Sequence, residues 1–307
     1  MMTFQAQLNG QDVSVKIEKE GLTVNGRCLN YADIKTMAPN NHRVVITLFS
    51  DDTLTFGMLG YNFDSFWQEL LKAFEQRCLD ALFIEEAVVM ACEGEYHLPK
   101  ESGRGPIRLY PDALCILPPS AGSVRLAFSE VSDLTADGYN LTITMTSGKT
   151  YSVGKMGYDS MPFFERAASL WKKTLTARQK ALAPYIPEAP FTHVGLFRTG
   201  HPEHHWAAAI TDGKCALELY TGQDAATYLY CFEEPQAVFR RNLTEALEAM
   251  STHREIIYMP DEELAENPLY RMAVRRSEAV CFLRSKFNGR LIHSANHAAR
   301  LQEFLNA

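Results

Sequence analysis

The densest group of potential metal ligands in the sequence is His201-Pro202-Glu203-His204-His205. Imidazole suits zinc, nickel and related divalent ions. The spacing argues for less, because Pro202 implies a turn and adjacent His204 and His205 point to opposite sides of a strand. A polar loop between two strands is the plainer reading. The second concentration is cationic. Between Leu269 and His293 stand Arg271, Arg275, Arg276, Arg284, Lys286 and Arg290 against a single acid, Glu278. Arg-rich usage suits planar, bidentate partners such as carboxylate or phosphate. Residues 181–307 hold ten Arg and two Lys but also sixteen Asp and Glu, so Asp261, Glu262, Glu263 and Glu266 compete for the arginines. Spacing places Arg271 and Arg275 on one helix face, and Arg284 and Lys286 on one strand face. Cys281 and His293 would make a thiol–imidazole pair, but Val-Cys-Phe-Leu reads as an apolar strand in which a thiol is inert. The sequence has no Gly-x-Ser-x-Gly, Walker loop, His-Glu-x-x-His or dinucleotide fingerprint. No catalytic residue and no cofactor are expected.

The elements that must position these residues are organised by a duplication. Thr53-Leu-Thr-Phe-Gly57-Met-Leu-Gly60-Tyr61 reappears as Thr150-Tyr-Ser-Val-Gly154-Lys-Met-Gly157-Tyr158, and an offset of 97 residues holds without a gap from Leu29/Leu126 to Phe74/Trp171. Val44, Ile46 and Leu48 alternate with Arg43, Val45 and Thr47, and Leu141, Ile143 and Met145 with Thr142 and Thr144, which is the period of a half-buried strand. Each pair of glycines lets the backbone bend sharply after the return strand. Asn62 and Asp159 are expected to cap the helices that follow. Tyr61 and Tyr158 are expected to pack at the hinge against the preceding strand. Phe66, Trp67, Leu70, Leu71 and Phe74 form one apolar stripe, matched by Phe163, Phe164, Ala167, Ala168 and Trp171, and such a stripe must be buried. A phosphate cradle at Gly-x-x-Gly-Tyr is disfavoured, since copy two offers only Lys155 there and copy one has Met58.

Short strands at close spacing with one closing helix describe a small antiparallel barrel in each copy, residues 1–80 and 81–180. On that pattern, residues 1–180 resemble pleckstrin-homology-like domains in tandem. The resemblance implies lipid-headgroup, peptide or scaffolding roles, the lipid-binding members using basic residues in the first hairpin loop. Asn9-Gly10-Gln11-Asp12 of copy one has none. Copy two carries Lys100, Arg104 and Arg108, diluted by Glu101, so a membrane surface is possible but not favoured.

Residues 181–190, rich in Pro and Ala, read as a stiff joint to an α+β domain at 190–307. Its expected strands are 191–198, 205–211, 214–220 and 226–231, with a helix at 234–251. Further strands are expected at Glu255–Tyr258 and Ala279–Phe287, and a last helix capped by Ser294. Leu217 to Leu243 is a candidate for a degenerate third copy.

A net charge of −7 disfavours non-specific nucleic-acid binding by the whole chain. The seven widely spaced cysteines include no Cys-x-x-Cys, which points to reduced thiols in a cytoplasm rather than to disulfides. Neither a signal peptide nor a bilayer-spanning run is apparent. The leading expectation is a non-enzymatic interaction or scaffolding protein with a protein or peptide partner. The alternative is a phosphate- or carboxylate-bearing ligand held by Arg271, Arg275, Arg276, Arg284 and Arg290, with catalysis in the C-terminal domain left open.

Overall fold

A computed structural model describes residues 3–198, 200–222, 224–251 and 253–307; Met1 and Met2, the first residues of the expected first unit, lie outside the described residues. Seven strands open the chain: β1 (Thr3–Leu8), β2 (Gln11–Ile17), β3 (Gly21–Val24), β4 (Arg27–Asn30), β5 (Ile34–Asn40), β6 (Arg43–Leu48) and β7 (Thr53–Gly57). They form an antiparallel sheet in the order β4-β3-β2-β1-β7-β6-β5, and helix α1 (Phe63–Ala81) follows. The second set is β8 (Met90–His97), β9 (Ser102–Leu109), β10 (Ala113–Ile116), β11 (Val124–Ala127), β12 (Val131–Asp137), β13 (Asn140–Met145) and β14 (Thr150–Gly154), closed by α2 (Ser160–Leu182). Its order, β11-β10-β9-β8-β14-β13-β12, is that of the first sheet. In each, the terminal strands are not ladder neighbours, so the hydrogen-bonded strip is open.

The duplication extends to irregularities. The β5–β6 ladder slips between Ile34 and Thr36, and the β12–β13 ladder slips between Val131 and Asp133. Gly60 and Gly157 both take a left-handed backbone, with φ of 55° and 64°, where any other residue is strained. Phe66, Leu70 and Phe74 of α1 are fully buried in the first core, as Phe163 and Ala167 of α2 are in the second. Two expectations for this corner fail. Tyr61 and Tyr158 do not pack at the hinge; both are fully exposed, while Leu59 and Met156 are the buried residues. The chain leaves the left-handed turn in a short 3-10 turn, which swings the tyrosine outward. Asn62 and Asp159 make no side-chain cap, because they already belong to that turn; in copy two Ser160 Oγ accepts from Met156 N instead.

The C-terminal part is α+β, as expected. Strands β15 (His193–Leu196), β16 (His204–Thr211), β17 (Lys214–Thr221) and β18 (Asp224–Cys231) form an antiparallel meander. Helices α3 (Gln236–Met250), α4 (Asp261–Glu266), α5 (Pro268–Arg276) and α6 (Glu278–Ser285) follow. Then β19 (Phe287–Leu291) joins the sheet beside β18, and α7 (His297–Asn306) ends the chain. Period-two alternation divides the sheet. Trp206, Ala208, Leu217, Leu219, Tyr228 and Tyr230 pack in one core with α3 and α6, and Ala209, Ala216, Leu229 and Leu291 face α7. Five strands, the last arriving after four helices, do not repeat the seven-stranded unit, so Leu217–Leu243 is not a third copy.

Three local expectations are corrected here. Ala279–Phe287 is mostly helix, because Ser277 Oγ accepts from Val280 N and starts a turn that the short apolar run by itself does not distinguish from a strand. Glu255–Tyr258 is not a strand; Arg254–Ile257 is a 3-10 turn that buries Ile256 and Ile257. Ser294 is not the cap of the last helix, which begins at His297, although its carbonyl accepts from His297 N. No described helix is long and apolar enough to cross a membrane.

Candidate functional site

The three parts meet around a cavity of about 570 Å3. Copy one contributes Lys35, Thr36 and Phe49, copy two Leu82, Lys100, Arg125 and Lys149, and the C-terminal domain Arg241, Glu248, Arg275 and Arg276. Direct contacts hold the walls together. Met37 N donates to Pro119 O at 2.8 Å and Ala121 N to Lys35 O at 2.8 Å, so β5 runs against the turn before β11. Arg108 on β9 reaches Glu75 on α1 at 3.0 Å. The third wall is α5: Met272 is fully buried in the first core, and Arg271 and Arg275 pair with Asp33 at 3.0 and 3.2 Å.

One side of the cleft is a chain of buried charges. Arg125 on β11 donates to Asp112 at 2.7 Å and to Glu248 of α3 at 3.2 Å, with only 5% of its side chain exposed. Glu248 also lies 3.5 Å from Arg178 of α2, which lies 3.6 Å from Glu130. Burial, then repulsion from Glu248, pushes the Glu130 carboxyl up to about 7, against the pull of Arg178 and a hydrogen bond from Thr146. Near the rim, Lys149 pairs with Glu245 at 3.0 Å and Glu278 at 3.6 Å, and Lys100 meets the other oxygen of Glu278. Most of the cleft's carboxylates are thus already neutralised. Among the described residues Lys35 pairs only with an exposed carboxylate, Asp51, and Arg241 is exposed.

The arginines expected to act together are separated by this arrangement. Only Arg275 and Arg276 line the cleft. Arg275 donates to Ala32 O at 2.6 Å and lies over the Phe49 ring. Arg276 donates to Met272 O and Cys78 Sγ, while its buried Nε has no partner among the described residues. Arg271 is fastened to Asp33 and Ala265 O. Arg284 lies on a helix, not on a strand face with Lys286; it binds Met259 O and Asp261, both at 2.7 Å, and Ile256 O. Arg290 on β19 lies over the rings of Tyr228 and Tyr258.

Lys100, Arg104 and Arg108 do not share the hairpin tip, because β9 begins at Ser102. Lys100 borders the cleft, Arg104 lies opposite Glu95 on the β8–β9 ladder, and Arg108 is tied to Glu75. The histidines divide as the strand period requires. His201, Glu203 and His204 gather at the turn before β16, while His205 stacks between Tyr185 and Tyr220 on the opposite face. Cys281 lies on α6 with its thiol donating to Val274 O, and burial pushes its pKa up.

Sequence reasoning missed Glu130, Glu248, Arg125 and Arg178. No local signal marks them, because each looks like a surface residue within its own strand or helix. No family model and no curated protein matches the sequence. Among solved structures, the chain is similar to the C-terminal domain of an unknown protein from Leishmania infantum, at 12% identity and a TM-score of 0.29. That match covers 33% of this chain and 96% of the other.

Proposed function

We propose that the chain is a non-enzymatic binding protein: two pleckstrin-homology-like modules and an α+β domain hold a cleft that receives a peptide segment of a protein partner. The observation that carries this is the composite cavity of about 570 Å3, with Leu82, Ala127, Met250 and Val280 among its apolar walls and Lys35, Lys100, Lys149 and Arg241 among its cations. Apolar surface ringed by cations suits an extended segment with alternating apolar and acidic side chains, the first giving affinity and the second orientation. The cytoplasmic setting expected from free thiols is part of the same reading; all seven cysteines are free. Affinity capture with the wild-type protein and with a Lys35→Glu/Arg241→Glu variant tests it. A partner retained by the first and lost by the second supports the cleft as the docking site. Equal retention by both, or no specific partner together with turnover of a substrate, overturns it.

A small anion is the second reading, favoured by the unpartnered Nε of Arg276 at the cleft wall. Inorganic phosphate or a dicarboxylate should then raise the melting temperature of the wild type and not of Arg276→Ala. Arg271, Arg284 and Arg290 take no part in that reading. Recruitment to anionic membranes through Lys100, Arg104 and Arg108 is checked by liposome flotation.

A further inference from the structure

The face of the C-terminal sheet turned away from α3 and α6 carries a second cavity, of about 510 Å3, roofed by the Tyr185–Phe191 segment and α7. Four polar groups meet on its floor. Glu218 on β17 lies directly opposite Thr227 on β18 in the ladder, so both side chains stand on this face. His293 follows β19, and His297 is the first residue of α7. Thr227 Oγ1 lies 2.8 Å from His293 Nε2 and 2.9 Å from His297 Nε2. A ligand atom from each of Glu218, His293 and His297 lies within 4.8 Å of the others. We propose that these three residues bind a first-row divalent cation of the zinc class.

Two further observations support this. A hydroxyl has one proton to give, so two imidazoles converging on Thr227 through the same ring atom need opposite tautomers to be satisfied by it. A cation between them accepts both lone pairs. Glu218 is 8% exposed, and among the described residues it forms no salt bridge with Lys or Arg. A buried carboxylate needs a counter-charge, which a divalent ion supplies.

Two imidazoles and one carboxylate match the donor set of zinc and its neighbours, and leave a coordination position open toward the cavity. Bonds of about 2.1 Å bring ligands of a tetrahedral ion to about 3.4 Å apart, so the rings close in slightly on binding. The exposed His293 has room to do so. His205, stacked on Tyr220 at 4.4 Å, borders the same cavity with a buried Nδ1 that has no partner among the described residues.

Chelator-treated protein titrated with Zn(II) by calorimetry, and with Co(II) by visible absorption, tests the proposal. The wild type should take up one equivalent and gain melting temperature. Glu218→Gln and His293→Ala should each weaken binding at least tenfold, and His293→Ala/His297→Ala should abolish the Co(II) bands. Because His293 is exposed, its variant retains the fold, which circular dichroism checks. Zinc binding unchanged in the double variant, lost only in His201→Ala/His204→Ala, or absent from the folded wild type overturns it.

Discussion

Glu130 lies buried between an attracting guanidinium and a repelling carboxylate. Its carboxyl titrates near 7 rather than in the usual carboxylate range. Between those limits the folded state holds a proton that the unfolded state has lost. This contribution to stability is therefore greatest near pH 4 and falls as pH rises through 7. Glu130→Gln should melt higher than the wild type at pH 8, by on the order of 2 kcal/mol, and the two should converge near pH 5. A melting series over that range checks it. The thiols give a second residue-scale prediction. Cys78, Cys115 and Cys215 are fully buried, and burial pushes Cys115 up to about 12. Ellman's reagent should label the exposed Cys28, Cys231 and Cys281 in the native protein and reach these three buried thiols only after denaturation. The sequence did not show which polar residues would be buried. Arg125 and Glu248 are separated by more than a hundred positions, and each looks locally like a surface residue.

At the scale of elements the sequence was more informative. The 97-residue offset reproduced strand boundaries from β4/β11 onward and the start of both helices, because strand and helix periods are local properties. Those periods also predicted which helical face is buried. Phe163→Ala should cost about 3–5 kcal/mol in urea unfolding, since its side chain is fully enclosed in the second core. Tyr158→Ala, two residues beyond the buried Met156 but fully exposed in space, should stay within about 0.5 kcal/mol. The errors at this scale have a common source. Ala279–Phe287 and Glu255–Tyr258 are short apolar runs whose choice between turn, helix and strand depends on a cap or on the surface they pack against.

For the molecule as a whole, the contacts between parts carry the argument. Glu248 bridges Arg125 of the second sheet and Arg178 of α2 to the C-terminal helix α3. Removing it leaves two buried or half-buried guanidiniums short of a partner, and Glu248→Ala should cost about 3–5 kcal/mol. Limited proteolysis should then cut the 183–192 joint faster than in the wild type. The arginines read as one cluster follow the same logic. Arg271 and Arg275 fasten α5 to Asp33, in a module more than two hundred residues earlier, rather than to the nearby Asp261, Glu262, Glu263 or Glu266. Their role is decided by where α5 docks.

By itself the sequence determined the duplication, which a constant offset of 97 residues displays, and it determined the alternation of strand faces, the buried helical stripes and the absence of familiar catalytic motifs, which depend on neighbours within a few residues. Only the tertiary structure decided which charges meet. The cleft draws on all three parts, and Glu218, His293 and His297 come together because β19 returns beside β18 after four helices. Coulomb interactions and ligand geometry act through space at a few ångströms, and separation along the chain does not encode that distance.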